Sequence, residues 1–195
     1  MNLVQRVQGI LISPAKEWGA IKPEKTPIQK LILGYAVPLA LIPAISLFLG
    51  KGLFSHWYGI GRGLGFAIVF TILNLALVFG IGFVINALAP NFGSKQSQEN
   101  GMALAVYSMT PFWLAGILFL ILGGFFFWLI WIVSLYGYYI LYLGFAAPMM
   151  DTPKDKQLTY FIISAIAINI GIWLVWVITN AIFPIWIPGL INLIR

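Results

Sequence analysis

Few groups in this chain of 195 residues could carry proton transfer, nucleophilic attack or metal ligation. There are five carboxylates (Glu17, Glu24, Glu99, Asp151 and Asp155), one imidazole (His56) and no thiol. Phenols are plentiful. Of eight tyrosines, four fall within LYGYYILYLGFAAPMM at 135–150, a stretch without charge until Asp151. A second group, Tyr107, Ser108 and Thr110, places three hydroxyls just before Pro111. Asn169 and Asn180 add amides to another apolar segment. Hydroxyls and amides in such surroundings can hold helices together or line a polar passage. A nucleophile would need a base beside it, and none is in view.

The elements that position these groups follow from composition. Hydrophobic residues make up 61% of the chain and charged residues 8%, with a mean hydropathy of +0.97. A soluble domain carries about 25% charged residues, so the solvent for most of this surface is lipid. Five runs approach the roughly 20 apolar residues that cross a hydrocarbon core: about 31–49, 64–89, 102–122, 125–147 and 158–183. Only Gly123-Gly124 separates the third from the fourth, which predicts a tight helical hairpin. The expected fold is therefore all-α and integral to the membrane, with five transmembrane helices. The expected division is a 1–30 N-terminal segment, a 31–183 membrane domain and a 184–195 interfacial tail in which Trp186 is an anchor.

Lysine and arginine counts in short loops set the direction. Arg6, Lys16, Lys22, Lys25, Lys30, Lys95, Lys154 and Lys156 collect on one side; Lys51, Arg62 and Arg195 collect on the other. The N-terminus is expected in the cytoplasm and the C-terminus outside, in a multi-pass protein of a bacterial inner membrane. Leu3, Val4, Val7, Ile10 and Leu11 share one helical face, which fits a short amphipathic helix on the cytoplasmic surface. No basic-then-apolar-then-small cleavage pattern precedes it, so this segment is expected to be retained. Its basic residues Arg6, Lys16, Lys22, Lys25 and Lys30 suit anionic headgroups. Nucleic acid requires a clustered basic face and is excluded on that ground.

This frame restricts the chemistry. All five acids fall on the cytoplasmic side and His56 on the other, so metal-assisted hydrolysis lacks a ligand set. No metal and no cofactor is expected. Ion-coupled transport generally uses an ionisable group inside the membrane, and these runs hold none. The glycines at 59, 61, 63 and 65 lack the preceding strand of a phosphate loop and read as a flexible interfacial loop.

In the fourth span Gly137 and Gly144 share a flank that would admit a neighbouring backbone. Tyr138, Tyr139 and Tyr142 lie roughly opposite, with Tyr136 between. A phenol at that depth requires a partner for its hydroxyl, and the preferred reading is a network between helices, ahead of a ligand or lipid pocket. Pro111 leaves the Tyr107 carbonyl without its helical donor, and Pro38 and Pro43 should bend the first span. Bent helices are compatible with a cavity and equally with an irregular bundle. Asn74 and Asn86, with Ala76 and Gly80, suggest a polar and small-residue seam on the second span.

Several stretches, in order, resemble the Yip (Ypt/Rab-interacting) family and most of all its small bacterial branch. They are LVQRVQGILISPAKEWGAI at 3–21, GYAVPLALIPAI at 34–45, INALAPNFGSKQ at 85–96, AVYSMTPFWLAG at 105–116 and LYGYYILYLGFAAPMM at 135–150. The resemblance implies five helices and a cytoplasmic N-terminus, and supplies no catalytic residues. Family members associated with Rab GTPases carry a long N-terminal region; here about thirty residues replace it, which argues against a Rab-type partner. The expected role is non-enzymatic, in organising membrane or binding a protein or lipid partner, with self-association included. Trp18, Lys22, Lys25 and the loops 91–100 and 151–157 would form the partner surface. The alternative is uncoupled passage of lipid or small solute through a crevice between helices one, three and four, lined by Tyr107, Thr110, Tyr138 and Tyr139.

Overall fold

The chain is seen as a computed structural model that describes residues 2–54, 59–120, 127–146 and 149–184. Every regular element among these residues is helical. Asn2 caps the first helix, α1 (Leu3–Ile12), by accepting from the Gln5 N–H at 2.9 Å. Pro14 opens α2 (Pro14–Glu24), where its missing N–H costs nothing, and Lys25 ends it in the left-handed region at φ 41°. Five long apolar helices follow: α3 (Ile28–Leu53), α4 (Gly59–Phe92), α5 (Gln98–Leu120), α6 (Trp128–Phe145) and α7 (Lys154–Ile182). They are the five expected spans. His56, Gly123-Gly124, Trp186 and nearly all of the 184–195 tail lie outside the described residues.

The start of the second span differs from the sequence reading, and the irregularity expected of the first has a source beyond its prolines. The glycines at 59–65, expected as a loop, form the first two turns of α4, with only Gly59 in the left-handed region at φ 70°. The α3 helix bends through π-turns at Ile32–Ala36 and Phe48–Leu53 on either side of the stretch that holds Pro38 and Pro43. Both devices are known causes of helix kinks.

The third span is the hub of the bundle, with 67% of its most apolar window buried against 17% for the fifth. Lipid removes most of the hydrophobic drive between helices, so close backbone approach matters more. Along α4 and α5, a Cβ on Gly82 would lie 2.9 Å from the Met102 Cα, and one on Gly101 would lie 2.7 Å from the Gly82 carbonyl. The small seam of the second span is thus Gly82; Gly80, expected there, faces nothing within 4 Å. On α6, Gly137 abuts the Ser108 carbonyl and Gly144 abuts Leu104 and Trp18.

The N-terminal helix forms, but it does not lie free on the surface. α1 and α2 make a hairpin that packs against the middle of α5, near Tyr107 and Thr110, and along α6 from Tyr136 to Gly144. Ile10 and Trp18 are fully buried, Arg6 is 4% exposed, and Val4 of the expected apolar face points outward. The buried stripe of α1 is therefore Arg6–Ile10, one turn apart, rather than the purely apolar stripe that periodicity suggests.

Candidate functional site

Three groups of polar residues organise the bundle. The first surrounds the kink of α5. The helix breaks at Met109, just before Pro111. The Tyr107 carbonyl freed by that proline accepts from the Thr110 hydroxyl at 2.7 Å. Thr110 in turn accepts from the Tyr35 hydroxyl of α3 at 2.9 Å. Tyr35 O–H, Thr110 O–H and Tyr107 C=O thus form one directed chain in a site where Thr110 is fully buried. The Tyr107 ring meets Tyr35 edge-on at 4.7 Å and Trp18 at 5.9 Å, and the Arg6 guanidinium lies 5.8 Å from its centroid. Tyr107 and Thr110 accordingly belong to a buried contact between α3, α5 and the N-terminal hairpin; Tyr107 also borders a narrow crevice with Leu31, Ala103 and Met149, and neither residue lines the larger cavity described below.

The second group ties the hairpin to the two loops at the same end. Arg6, expected among the headgroup contacts, is enclosed: Nη1 donates to Glu17 at 2.6 Å and Nη2 pairs with Glu24. A cation at this depth is tolerable because two carboxylates and an aromatic face surround it. The Trp18 indole N–H donates to the Ile140 carbonyl at 3.0 Å. Lys22 pairs with Asp151 at 2.7 Å, and Lys95 approaches the other oxygen of Asp151 at 3.4 Å. The Lys22 ammonium beside Asp151 holds its carboxyl below the usual carboxylate range. Ser94 and Thr152 hydroxyls pair at 2.8 Å, and Asn100 donates to the Met149 carbonyl at 2.9 Å. Lys22 and the loops expected at the partner surface are brought into one plate, whereas Trp18, expected there too, is fully buried beneath it because its indole is held by the Ile140 carbonyl. Lys16, Lys25, Lys30, Lys95, Lys154 and Lys156 surround it, all exposed.

The third group is a cavity of about 210 Å³ between α4, α5, α6 and α7. It lies on the far side of α5 from the Tyr35–Thr110 chain. Its walls are mostly apolar and aromatic, including Phe70, Phe112, Trp131 and Trp173, with Ser108, Tyr138 and Asn169 among the few polar residues.

The tyrosines of α6 therefore divide. The Tyr136 hydroxyl donates to the Leu11 carbonyl at 2.8 Å, closing the C-terminal end of α1. Tyr138 faces the cavity with its hydroxyl buried and unpaired. Tyr139 is 51% exposed and lies against Tyr136, with ring centroids 5.6 Å apart. Asn169 and Asn180 donate to carbonyls four residues back in their own helix, Ala165 at 2.7 Å and Trp176 at 2.8 Å. Neither amide crosses to another helix through those bonds.

Three contributors escaped the sequence reading. Tyr35 completes the Thr110 chain. Trp113 donates to Asn74 at 3.0 Å across α4 and α5. Tyr160 is fully buried, donates to the Ile85 carbonyl and stacks on Phe92 at 4.6 Å. Each is a lone hydrogen-bonding aromatic in an apolar run, which is the available signal, since burying such a group calls for a partner. Among the described residues no three His, Cys, Asp or Glu side chains gather as a metal site.

Five crossing helices, no strand among the described residues and an N-terminal helical hairpin define an all-α integral membrane protein. Residues 9–178 match the Yip1 domain, and the chain belongs to that family. It is similar to the inner membrane protein YohC of Escherichia coli strain K12 and to that of strain O6:H1 CFT073. Each is 26% identical over 198 residues, covering 94% of this chain and 96% of the relative. No solved structure matches it.

Proposed function

We propose that this protein is a non-enzymatic organiser of the bacterial inner membrane that binds anionic lipid headgroups at its cytoplasmic end. A protein partner or a second copy would dock on the same plate. The observation that carries this reading is the separation of two kinds of charge. Arg6 and Lys22 are engaged with carboxylates and fix the plate, while Lys16, Lys25, Lys30, Lys154 and Lys156 stand exposed around it. A basic residue near an anionic leaflet contributes about 1 kcal/mol of attraction. Those lysines, with Lys95 at 81% exposed, suffice for preferential lipid retention. The inner-membrane placement is supported by the name of the relatives, and the cytoplasmic N-terminus by the lysine and arginine count.

The chain has no cysteine, so single introduced thiols are clean reporters. A cysteine at Lys95 should resist a membrane-impermeant reagent in intact cells and react once the cells are opened; labelling in intact cells would reverse the orientation. A photocrosslinking residue at Lys25 or Lys95 should capture anionic lipid together with a discrete protein or a second copy. Capture of random neighbours with no lipid preference would defeat the proposal.

Uncoupled passage of lipid or small solute remains a second reading, favoured by the cavity between α4, α5, α6 and α7. Scrambling of labelled lipid by purified protein in liposomes, lost in Tyr138→Phe, would support it over simple lipid retention.

A further inference from the structure

Several hydroxyls along the spans bond back onto their own helix. Thr71, Ser134 and Thr179 each donate to the carbonyl four residues earlier in their helix, at 2.7, 2.6 and 2.6 Å. Two buried serines, Ser164 and Ser108, have no such bond, and of these only Ser108 lines the cavity. It is 8% exposed, its oxygen is shielded and it has no partner, and it lines the same cavity as Tyr138, whose hydroxyl is also shielded and unpaired. Leaving such a group unsatisfied inside the membrane is unfavourable. Two of them on one cavity, with the Asn169 amide as the polar neighbour of Tyr138, mark a place where an acceptor from outside the chain would be held.

The cavity restricts what that acceptor belongs to. Ser108 is ten residues into α5, about 15 Å along the helix at roughly 1.5 Å per residue. That depth is about half of a hydrocarbon core roughly 30 Å thick, far from phosphate headgroups. The exposed Trp131, Trp173 and Trp176 border the cavity on α6 and α7, the side facing lipid. A cavity of roughly 150 Å³ lined by aliphatic and aromatic residues accepts benzene; one of about 210 Å³ has room for a substituted ring. Phe70, Phe112, Trp131 and Trp173 offer ring faces and edges for it.

We infer that this cavity is a binding site for the ring of a membrane-dissolved quinone-class carbonyl compound. The ring oxygens would accept from Ser108 and Tyr138, and the apolar tail would leave between α6 and α7. The site is independent of the lysine-ringed plate and stands or falls separately from the lipid-retention reading.

The test is titration of the full-length protein in lipid nanodiscs with decylubiquinone, read by quenching of tryptophan fluorescence. Decylbenzene, which has ring and tail but no carbonyl, serves as competitor. Saturable quenching is expected, weakened about three- to tenfold in both Ser108→Ala and Tyr138→Phe, as befits one lost hydrogen bond. Decylbenzene should compete poorly. Both variants delete one polar atom and should retain the wild-type circular dichroism and melting profile. Three results would overturn the inference: quenching that rises linearly with the partitioned quinone, saturable binding unchanged in both variants, or competition by decylbenzene as strong as by the quinone. Loss of anionic-lipid retention with this binding intact would sink the proposed function alone.

Discussion

The Trp18 indole donates to the Ile140 carbonyl at 3.0 Å, joining the N-terminal hairpin to the fourth span. Its ring lies over Gly144, where a Cβ would come within 3.0 Å of it. One side chain therefore decides whether α1 and α2 belong to the bundle or float beside it. Trp18→Phe should cost about 1 kcal/mol through the lost bond, and Trp18→Ala about 3–5 kcal/mol through the cavity it leaves. Limited proteolysis within residues 14–25 should accelerate in that order, while the five spans stay protected.

Arg6 and Glu17 form a pair whose partners are hard to remove singly. Arg6→Ala leaves a largely buried carboxylate facing Tyr107 and should destabilise by about 3–5 kcal/mol. Arg6→Met combined with Glu17→Gln removes both charges and should be much milder. A double-mutant cycle on thermal stability checks this; additive effects would show that the pair is not coupled.

Thr110→Val keeps the shape of the side chain but strips the Tyr107 carbonyl and the Tyr35 hydroxyl of their shared partner. The expected loss is about 1–3 kcal/mol, with most of it restored by Thr110→Ser. Thermal unfolding in detergent is the measurement, and equal stability of Val and Ser variants would contradict the directed chain.

Glycines divide by what surrounds them. Gly137→Ala would drive a methyl into the Ser108 carbonyl and should destabilise the α5–α6 contact. Gly19→Ala meets nothing within 4 Å and should be neutral or stabilising by up to about 1 kcal/mol, because alanine favours the helix. Parallel melting curves distinguish the two.

Asp151 links acidity to the plate. Its folded carboxyl titrates below the ordinary value of 3.8 because the charged form is held by Lys22. A depressed carboxyl contributes stability that is present above the unfolded value, near pH 4, and is lost as pH falls below it through the lower folded value. The distance between spin labels attached beforehand near residues 22 and 151 should therefore lengthen as pH falls below about 4. Asp151→Asn should show the weakened linkage at every pH.

The spans were legible because length and hydropathy depend on single segments. What packs against what was not. Arg6 read as one of the basic residues suited to headgroups, and nothing local shows that Glu17 and Glu24 fold back to neutralise it and draw it inward. The tyrosines of α6 were recognised as needing partners, yet adjacent phenols point to different neighbours. Tyr136 reaches α1, Tyr138 the cavity and Tyr139 the exterior. That division depends on how α5 and α7 flank the helix, which spacing along one segment does not encode. The kink at Pro111 was readable, but that Thr110 would satisfy the freed carbonyl and itself accept from a tyrosine 75 residues away was not.

The central claim concerns the exposed lysines, and one measurement addresses it directly. Spin-labelled phosphatidylglycerol and phosphatidylcholine can be compared in nanodiscs holding the purified protein, by the fraction of lipid whose motion is restricted. The account predicts a larger restricted fraction for phosphatidylglycerol, lost at high salt and when Lys16, Lys25, Lys30, Lys95, Lys154 and Lys156 are changed to Gln. Changing Lys51 and Arg62, at the opposite end, should leave it intact. Equal restriction of the two lipids, or a preference that survives removal of the six lysines, would contradict it.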